Sequence, residues 1–402
     1  MRVTTSLFLD LRRFGRRAGH HRRIDDAGRA PVAERAECAQ QARRPRSPFL
    51  ILAIAALPLL ATGCNTGNPQ STLDPKGPYA QYIYNLFWPV MLAALVVFVA
   101  VEALIVYSVW RFRGREGDPL PSQIHGNTTL EITWTIIPAI ILIVILLFTF
   151  STQATLANVP TSGPGGPAIN VRVVGHQWWW EFQYTDLAVT TANELHVPVG
   201  VPVTLQLESN DVIHSFWVPH LAGKTDVIPG RVNHLWLQAD EPGTYQGQCA
   251  EFCGIEHALM RMQVVAESQS EFNTWAQGQR AIPAFASTPG PGAAATPGAQ
   301  GTPGAANPSL ISQGAQLFAN GACVTCHTLR GTPAQAKVGP DLTHFGSRKT
   351  IAANTLPNDP QGNNLRKWLK NPQAVKPGND MPNLNLSDQD VEALVAYLQS
   401  LK

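Results

Sequence analysis

A chain of 402 residues is too long for one ordinary domain and suggests two or three. Charged residues make up only 14% of it and the net charge is +2, a balance that points away from nucleic acid and fits membrane segments. Of the six cysteines, four fall in two close pairs, Cys249/Cys253 and Cys323/Cys326, which is metal and cofactor usage rather than a disulfide framework.

The first stretch, residues 1–63, is an Arg-rich extension followed by an export signal. Arg43-Arg44-Pro45-Arg46 precedes a short apolar run, Phe49 to Leu60, which is too short to span as a stable helix. The run ends in Ala61-Thr62-Gly63-Cys64, which resembles a bacterial lipoprotein cleavage site with Cys64 as the acylated first residue. Ala61 departs from the leucine usual in that pattern, so a plain signal peptide with an incidental cysteine is the alternative. The extension before Arg43 is long for a signal, and Cys38 has no evident role.

Residues 64–155 read as a membrane hairpin, with apolar runs at about 83–110 and 132–152. At about 1.5 Å per residue, roughly 20 residues cross the hydrocarbon core, so each run is long enough. Arg111, Arg113 and Arg115 in the connection place it in the cytoplasm, and everything after Phe150 outside. Glu102 lies inside the first span, where a carboxylate needs shielding, by snorkelling or by packing against a partner helix. Glu131 at the start of the second span is, on its own, an ordinary first-turn acid favoured by the helix dipole.

Residues 156–278 alternate short β-rich runs with turn residues: Ile169 to Val174, Val203 to Leu207, Val212 to Val218 and Val232 to Leu237. Such spacing suggests a sandwich or barrel. Trp178, Trp179 and Trp180 are adjacent, and neighbours on a strand face opposite sides, so at least one should be exposed unless it meets a partner. The chemistry concentrates in Gln248-Cys249-Ala250-Glu251-Phe252-Cys253-Gly254-Ile255-Glu256-His257-Ala258-Leu259-Met260. Thiolate and thioether are soft ligands that favour copper, and imidazole suits it too. Two cysteine sulfurs can bridge two metal ions, with His257, Met260, a backbone carbonyl near Glu251 and the distant His214 filling the remaining positions. A Cys2His2 zinc site, a disulfide and a mononuclear blue-copper site stay open on residue types alone.

With Asp211-Val212-Ile213-His214-Ser215-Phe216-Trp217 and Lys224-Thr225-Asp226-Val227-Ile228-Pro229-Gly230-Arg231 added, the chain resembles subunit II of the haem–copper oxidases. The resemblance implies a cupredoxin barrel carrying the dinuclear CuA centre. His214 and Met260 would serve one copper, His257 and the Glu251 carbonyl the other, with Cys249 and Cys253 bridging. It further implies electron entry near Trp178, proton entry to subunit I by Glu131 in Leu130-Glu131-Ile132-Thr133-Trp134, and a Mg or Mn ion near the Glu251 side chain at the subunit I boundary. His176 reads as structural or interfacial rather than as a copper ligand.

Residues 279–308, dominated by Ala, Pro, Gly and Thr, read as a flexible linker. Residues 309–402 then carry Cys323-Val324-Thr325-Cys326-His327, a c-type haem attachment pattern, against which a redox dithiol or half a zinc site are the rivals. Helix-like segments flank it, Ser309 to Gly321 before and Ser387 to Leu401 after, with Ser387 as N-cap and Asp390 at the capping-box position. The segment resembles an all-α class I cytochrome c. A histidine–methionine pair is the usual ligand set there, which leaves His327 with Met381, or His344 as the rival.

The expectation is therefore a multidomain membrane protein: helix hairpin, all-β cupredoxin-like barrel and all-α cytochrome c domain. Its function would be that of subunit II of a bacterial aerobic respiratory cytochrome c oxidase, passing electrons from an external donor through haem c and CuA to subunit I. It would sit in the bacterial cell membrane with both redox domains on the extracytoplasmic face. The alternatives are the electron-entry subunit of a CuA-type nitric oxide reductase and a standalone membrane-anchored carrier.

Overall fold

The computed structural model of the chain describes residues 68–114, 117, 119, 122–123, 126–284 and 307–402. Cys38, Cys64, the signal segment, Arg115 and most of the proposed linker lie outside the described residues.

Two long helices open the described chain, α1 (Pro78–Arg111) and α2 (Thr128–Ala157). Both are long and apolar enough to cross a membrane, and neither buries its apolar window within the protein. They are longer than the expected spans because each continues past the hydrocarbon. At 1.5 Å per residue, α1 is about 51 Å long against a core of about 30 Å. Asn127 caps α2, its side chain accepting from Leu130 N, and Glu131 lies exposed in the first turn. The outer ends are fastened to the β domain. Tyr79 packs edge-on against Trp236 at 5.2 Å, and the Trp236 indole donates to the Leu156 carbonyl at 3.0 Å.

The β domain begins with a two-residue hairpin, β1 (Ser162–Gly163) and β2 (Gly166–Pro167). Ten longer strands follow: β3 (Ile169–His176), β4 (Trp179–Tyr184), β5 (Val189–Ala192), β6 (Glu194–Pro198), β7 (Val203–Ser209), β8 (His214–Trp217), β9 (Thr225–Val227), β10 (Asn233–Leu237), β11 (Gly243–Cys249) and β12 (Arg261–Glu267). They form two five-stranded sheets, ordered β10-β7-β3-β4-β5 and β6-β12-β11-β8-β9. Their facing side chains, among them Trp180, Phe182, Leu205, Leu207 and Phe216, make one buried core. Helix α3 (Gln269–Arg280), started by a Ser268–Glu271 capping box, closes the domain. The expected strand at Val212 begins only at His214, because Val212 and Ile213 sit in an exposed turn tied by Asp211.

The helical domain consists of α4 (Pro308–Asn320), a small hairpin β13 (Thr350–Ile351) and β14 (Leu356–Pro357), α5 (Asn363–Lys370), the short α6 (Pro372–Val375) and α7 (Asp388–Ser400). Ser387 caps α7 through Asp390, as the sequence predicts. Helices α4 and α7 cross at Gly314, where a Cβ would stand 2.0 Å from the Ala393 carbonyl oxygen. The domain packs directly on the β domain, which changes the reading of the tryptophans. None of the three is exposed: Trp180 is in the core, Trp179 lies under Ala353 of the helical domain, and Trp178 is half-buried. The partner that covers them is this chain's own second domain.

Candidate functional site

The metal-ligating segments meet because β8 and β11 are neighbours. Cys249 pairs with Phe216, two residues from His214, while the chain leaving β11 turns back through a 3-10 turn, His257–Leu259, into β12. Gly254 makes that turn possible: its φ is +118°, and a Cβ there would sit 2.9 Å from the Trp178 ring. Among the described residues, His214, Cys249 and Cys253 place their ligand atoms within 4.8 Å of one another. Cys249 Sγ lies 3.7 Å from Cys253 Sγ, 3.9 Å from His214 Nδ1 and 3.2 Å from the Glu251 carbonyl oxygen. Cys253 Sγ lies 3.6 Å from His257 Nδ1 and 3.8 Å from Met260 Sδ. Two sulfurs at the centre, flanked on each side by an imidazole and a further soft or carbonyl donor, are a donor set for two coppers. The zinc alternative leaves Met260 without a purpose, although it is buried against Cys253.

The electrostatics fit a cation. The hydrogen bond from Cys253 holds the Cys249 thiol down at about 3, with His214 adding to the effect. That same hydrogen bond, together with burial, pushes the Cys253 thiol up. The surroundings therefore favour the thiolate at Cys249, the form in which cysteine binds a metal ion. Burial alone would lower the His214 imidazole, but its bonds to Asp211 and Cys249 outweigh burial and raise it. Asp211 Oδ1 lies 2.8 Å from His214 Nε2, which turns Nδ1 toward the sulfurs. Reading the sequence missed that role, although an aspartate three residues before the histidine is a visible signal.

The second site is a cleft in the helical domain, lined by Cys323, Cys326, His327, Met381 and apolar side chains such as Leu342 and Trp368. His327 Nδ1 lies 2.9 Å from the Pro340 carbonyl oxygen, which fixes the ring and leaves Nε2 for a metal. Burial pushes the imidazole down, which favours its neutral form. Both cysteines are free thiols. His344 does not line the cleft; its buried ring lies beside the main chain of Gln279, Ala281 and Lys402. These residues fit a covalently attached haem, which Cys323 and Cys326 would bind and His327 and Met381 would ligate.

The cleft is closed on one side by Gln177, Trp178 and Trp179 of the β domain. Gln177 and Trp178 both donate to the Cys253 carbonyl, at 2.7 and 3.0 Å. His176 is no part of the thiol cluster: it bonds Glu181 at 3.1 Å and stacks on Trp179. Glu102, on α1, borders a groove between the two long helices.

Sequence models of three families match in succession: cytochrome c oxidase subunit II, transmembrane domain, over residues 70–152; its periplasmic domain over 187–268; and cytochrome c over 311–402. The chain is 40% identical over 355 residues to cytochrome c oxidase subunit 2 of Alkalihalophilus pseudofirmus, covering 87% of this chain and 96% of that one. It belongs to the cytochrome c oxidase subunit II family. The subunit 2 of Bacillus subtilis is 34% identical over 371 residues, 88% of this chain and 97% of that one. Quinol oxidase subunit 2 of Bacillus spizizenii, at 33% over 235 residues, covers only 58% of this subunit II chain and 72% of its own. Family membership implies CuA copper in the β domain, and the cytochrome c match implies haem in the helical one.

Proposed function

We propose that this subunit is the electron-entry arm of a bacterial aerobic respiratory cytochrome c oxidase, taking electrons from an external donor and delivering them to subunit I, where oxygen is reduced to water. In this reading residues 64–155 anchor the chain in the cell membrane, 156–278 carry the copper pair and 309–402 the haem. Bound in their sites, haem c and copper supply reversible one-electron chemistry. Cys323 and Cys326 would attach the haem, and His327 and Met381 would ligate its iron. His214, Cys249, Cys253, His257, Met260 and the Glu251 carbonyl would hold the coppers.

One contact carries the proposal: Trp178 borders the haem cleft and donates its indole N–H to the carbonyl of Cys253, 3.0 Å away. A single rigid ring thereby bridges the two sites. Trp178 is in this role an internal bridge, rather than a landing point for a soluble donor. The exposed tip of the copper loop, with Phe252 at 75% and Ile255 at 72% exposure, supports contact with another subunit. The Glu251 side chain, also exposed, would face a Mg or Mn ion at that boundary. Glu131 would admit protons to subunit I, and Cys64 would carry lipid.

The test is Trp178→Leu in the intact oxidase, with haem-to-copper electron transfer followed after a light-triggered electron injection. The rate should fall by well over an order of magnitude while both optical spectra persist. An unchanged rate would remove Trp178 from the path.

A further inference from the structure

The contact between the two domains is specific at several points. Glu194, on β6 of the β domain, is 2% exposed. Its Oε1 accepts from three donors of the helical domain: Lys349 N at 2.9 Å, Thr350 N at 2.8 Å and Thr350 Oγ1 at 2.9 Å. Its Oε2 faces His196 Nε2 at 3.9 Å, and His196 in turn bonds Glu267 at 2.9 Å and stacks on Trp275. A buried carboxylate is costly unless its oxygens are bonded. Within the β domain Oε1 has no such bond among the described residues, so the helical domain supplies what burial demands.

The captured segment continues into a strained tip. Ala352, Ala353 and Asn354 all hold positive φ, at 53°, 54° and 57°. Three consecutive residues with a Cβ in that region are unfavourable and persist only when the surroundings hold them. Here the β domain supplies the hold. Ala353 packs on Trp179, and the Asn354 amide donates to Gln246 Oε1 and the Met262 carbonyl. Ala352 and Ala353 of the tip line the haem cleft together with Trp178 and Trp179, so the pose the tip sets is also the pose in which Trp178 closes that cleft.

We propose that Glu194 is the positioning residue of a clamp: its carboxylate seizes the Lys349–Thr350 main chain and holds the cytochrome domain in one pose across Trp178. The domain then acts as a fixed part of the copper domain rather than as a tethered carrier that docks and leaves. The proposal builds on the electron-entry reading above but concerns only how the two domains are held.

The experiment uses the full chain loaded with copper and haem, carrying a protease site inserted after Gly290. After cleavage, the cytochrome fragment of the otherwise native chain should co-elute with the remainder on size exclusion at micromolar concentration. Glu194→Ala should weaken retention by about 10- to 100-fold, the loss expected for a hydrogen-bonded charge. Thr350→Val and Asn354→Ala, which act from the other side, should weaken it less and guard against a folding defect in the first variant. Copper and haem spectra should stay native in all three. In the uncut Glu194→Ala enzyme, haem-to-copper transfer should become viscosity-dependent, which a purely structural role in the β domain would not produce. Prompt separation of the cleaved native chain, or retention by Glu194→Ala equal to native, would overturn the clamp. Failure to take up copper or to attach haem would instead overturn the electron-entry reading, because fragment retention reports on the contact alone.

Discussion

Lys376 of the cytochrome domain and Glu256 of the copper loop face each other at 3.4 Å, and the two are only 4% and 2% exposed. The Lys376 amine also donates to the Trp178 carbonyl at 3.3 Å and lines the haem cleft. Burial pushes this amine down, and Glu256 opposes the shift. One buried ion pair thus joins both ligand-bearing loops to the bridging tryptophan.

Breaking such a pair from one side leaves a buried charge without its partner, which costs about 3–5 kcal/mol. Lys376→Met or Glu256→Gln alone should therefore lower the calorimetric melting temperature of the chain clearly. The double variant, with both charges gone, should melt above either single one. If the two losses simply added, the ion pair would not be an energetic unit.

The two metal sites stand in separate domains with separate cores, so their ligands should fail independently. Cys249→Ser should abolish the mixed-valence copper spectrum and leave haem attached. Met381→Ala should do the reverse, with haem retained and its potential lowered, because a methionine ligand raises the potential. An unchanged potential in Met381→Ala would direct attention back to His344, despite its place outside the cleft.

Glu131 is exposed in the first turn of α2, and the cap of that helix is made by Asn127 instead. Glu131→Gln should accordingly leave assembly and both metal spectra intact. If the carboxylate admits protons, turnover in the intact complex should slow, most visibly as pH rises and protons become scarce. Native turnover across the pH range would end that assignment.

Much of this protein is local in sequence and could be read there. Cys249, Cys253, His257 and Met260 lie within one turn-rich segment, and Cys323, Cys326 and His327 within another, so spacing alone sets which side chains can converge. The long helices declare themselves by apolar length, and Ser387 with Asp390 marks the start of α7. What local spacing cannot express is which surfaces meet. Glu194, Lys376 and Glu256 look in sequence like ordinary surface charges, yet each is buried and bonded across the contact between the two domains. The same packing covers Trp179 with Ala353 and sets Trp178 between the two sites, whereas the sequence alone says only that one of the rings is exposed or meets a partner. Periodicity reports the face that one element buries against its own domain. Contacts between domains depend on the relative placement of residues far apart in the chain, 156 positions for Glu194 with Thr350, and only the tertiary structure decides them.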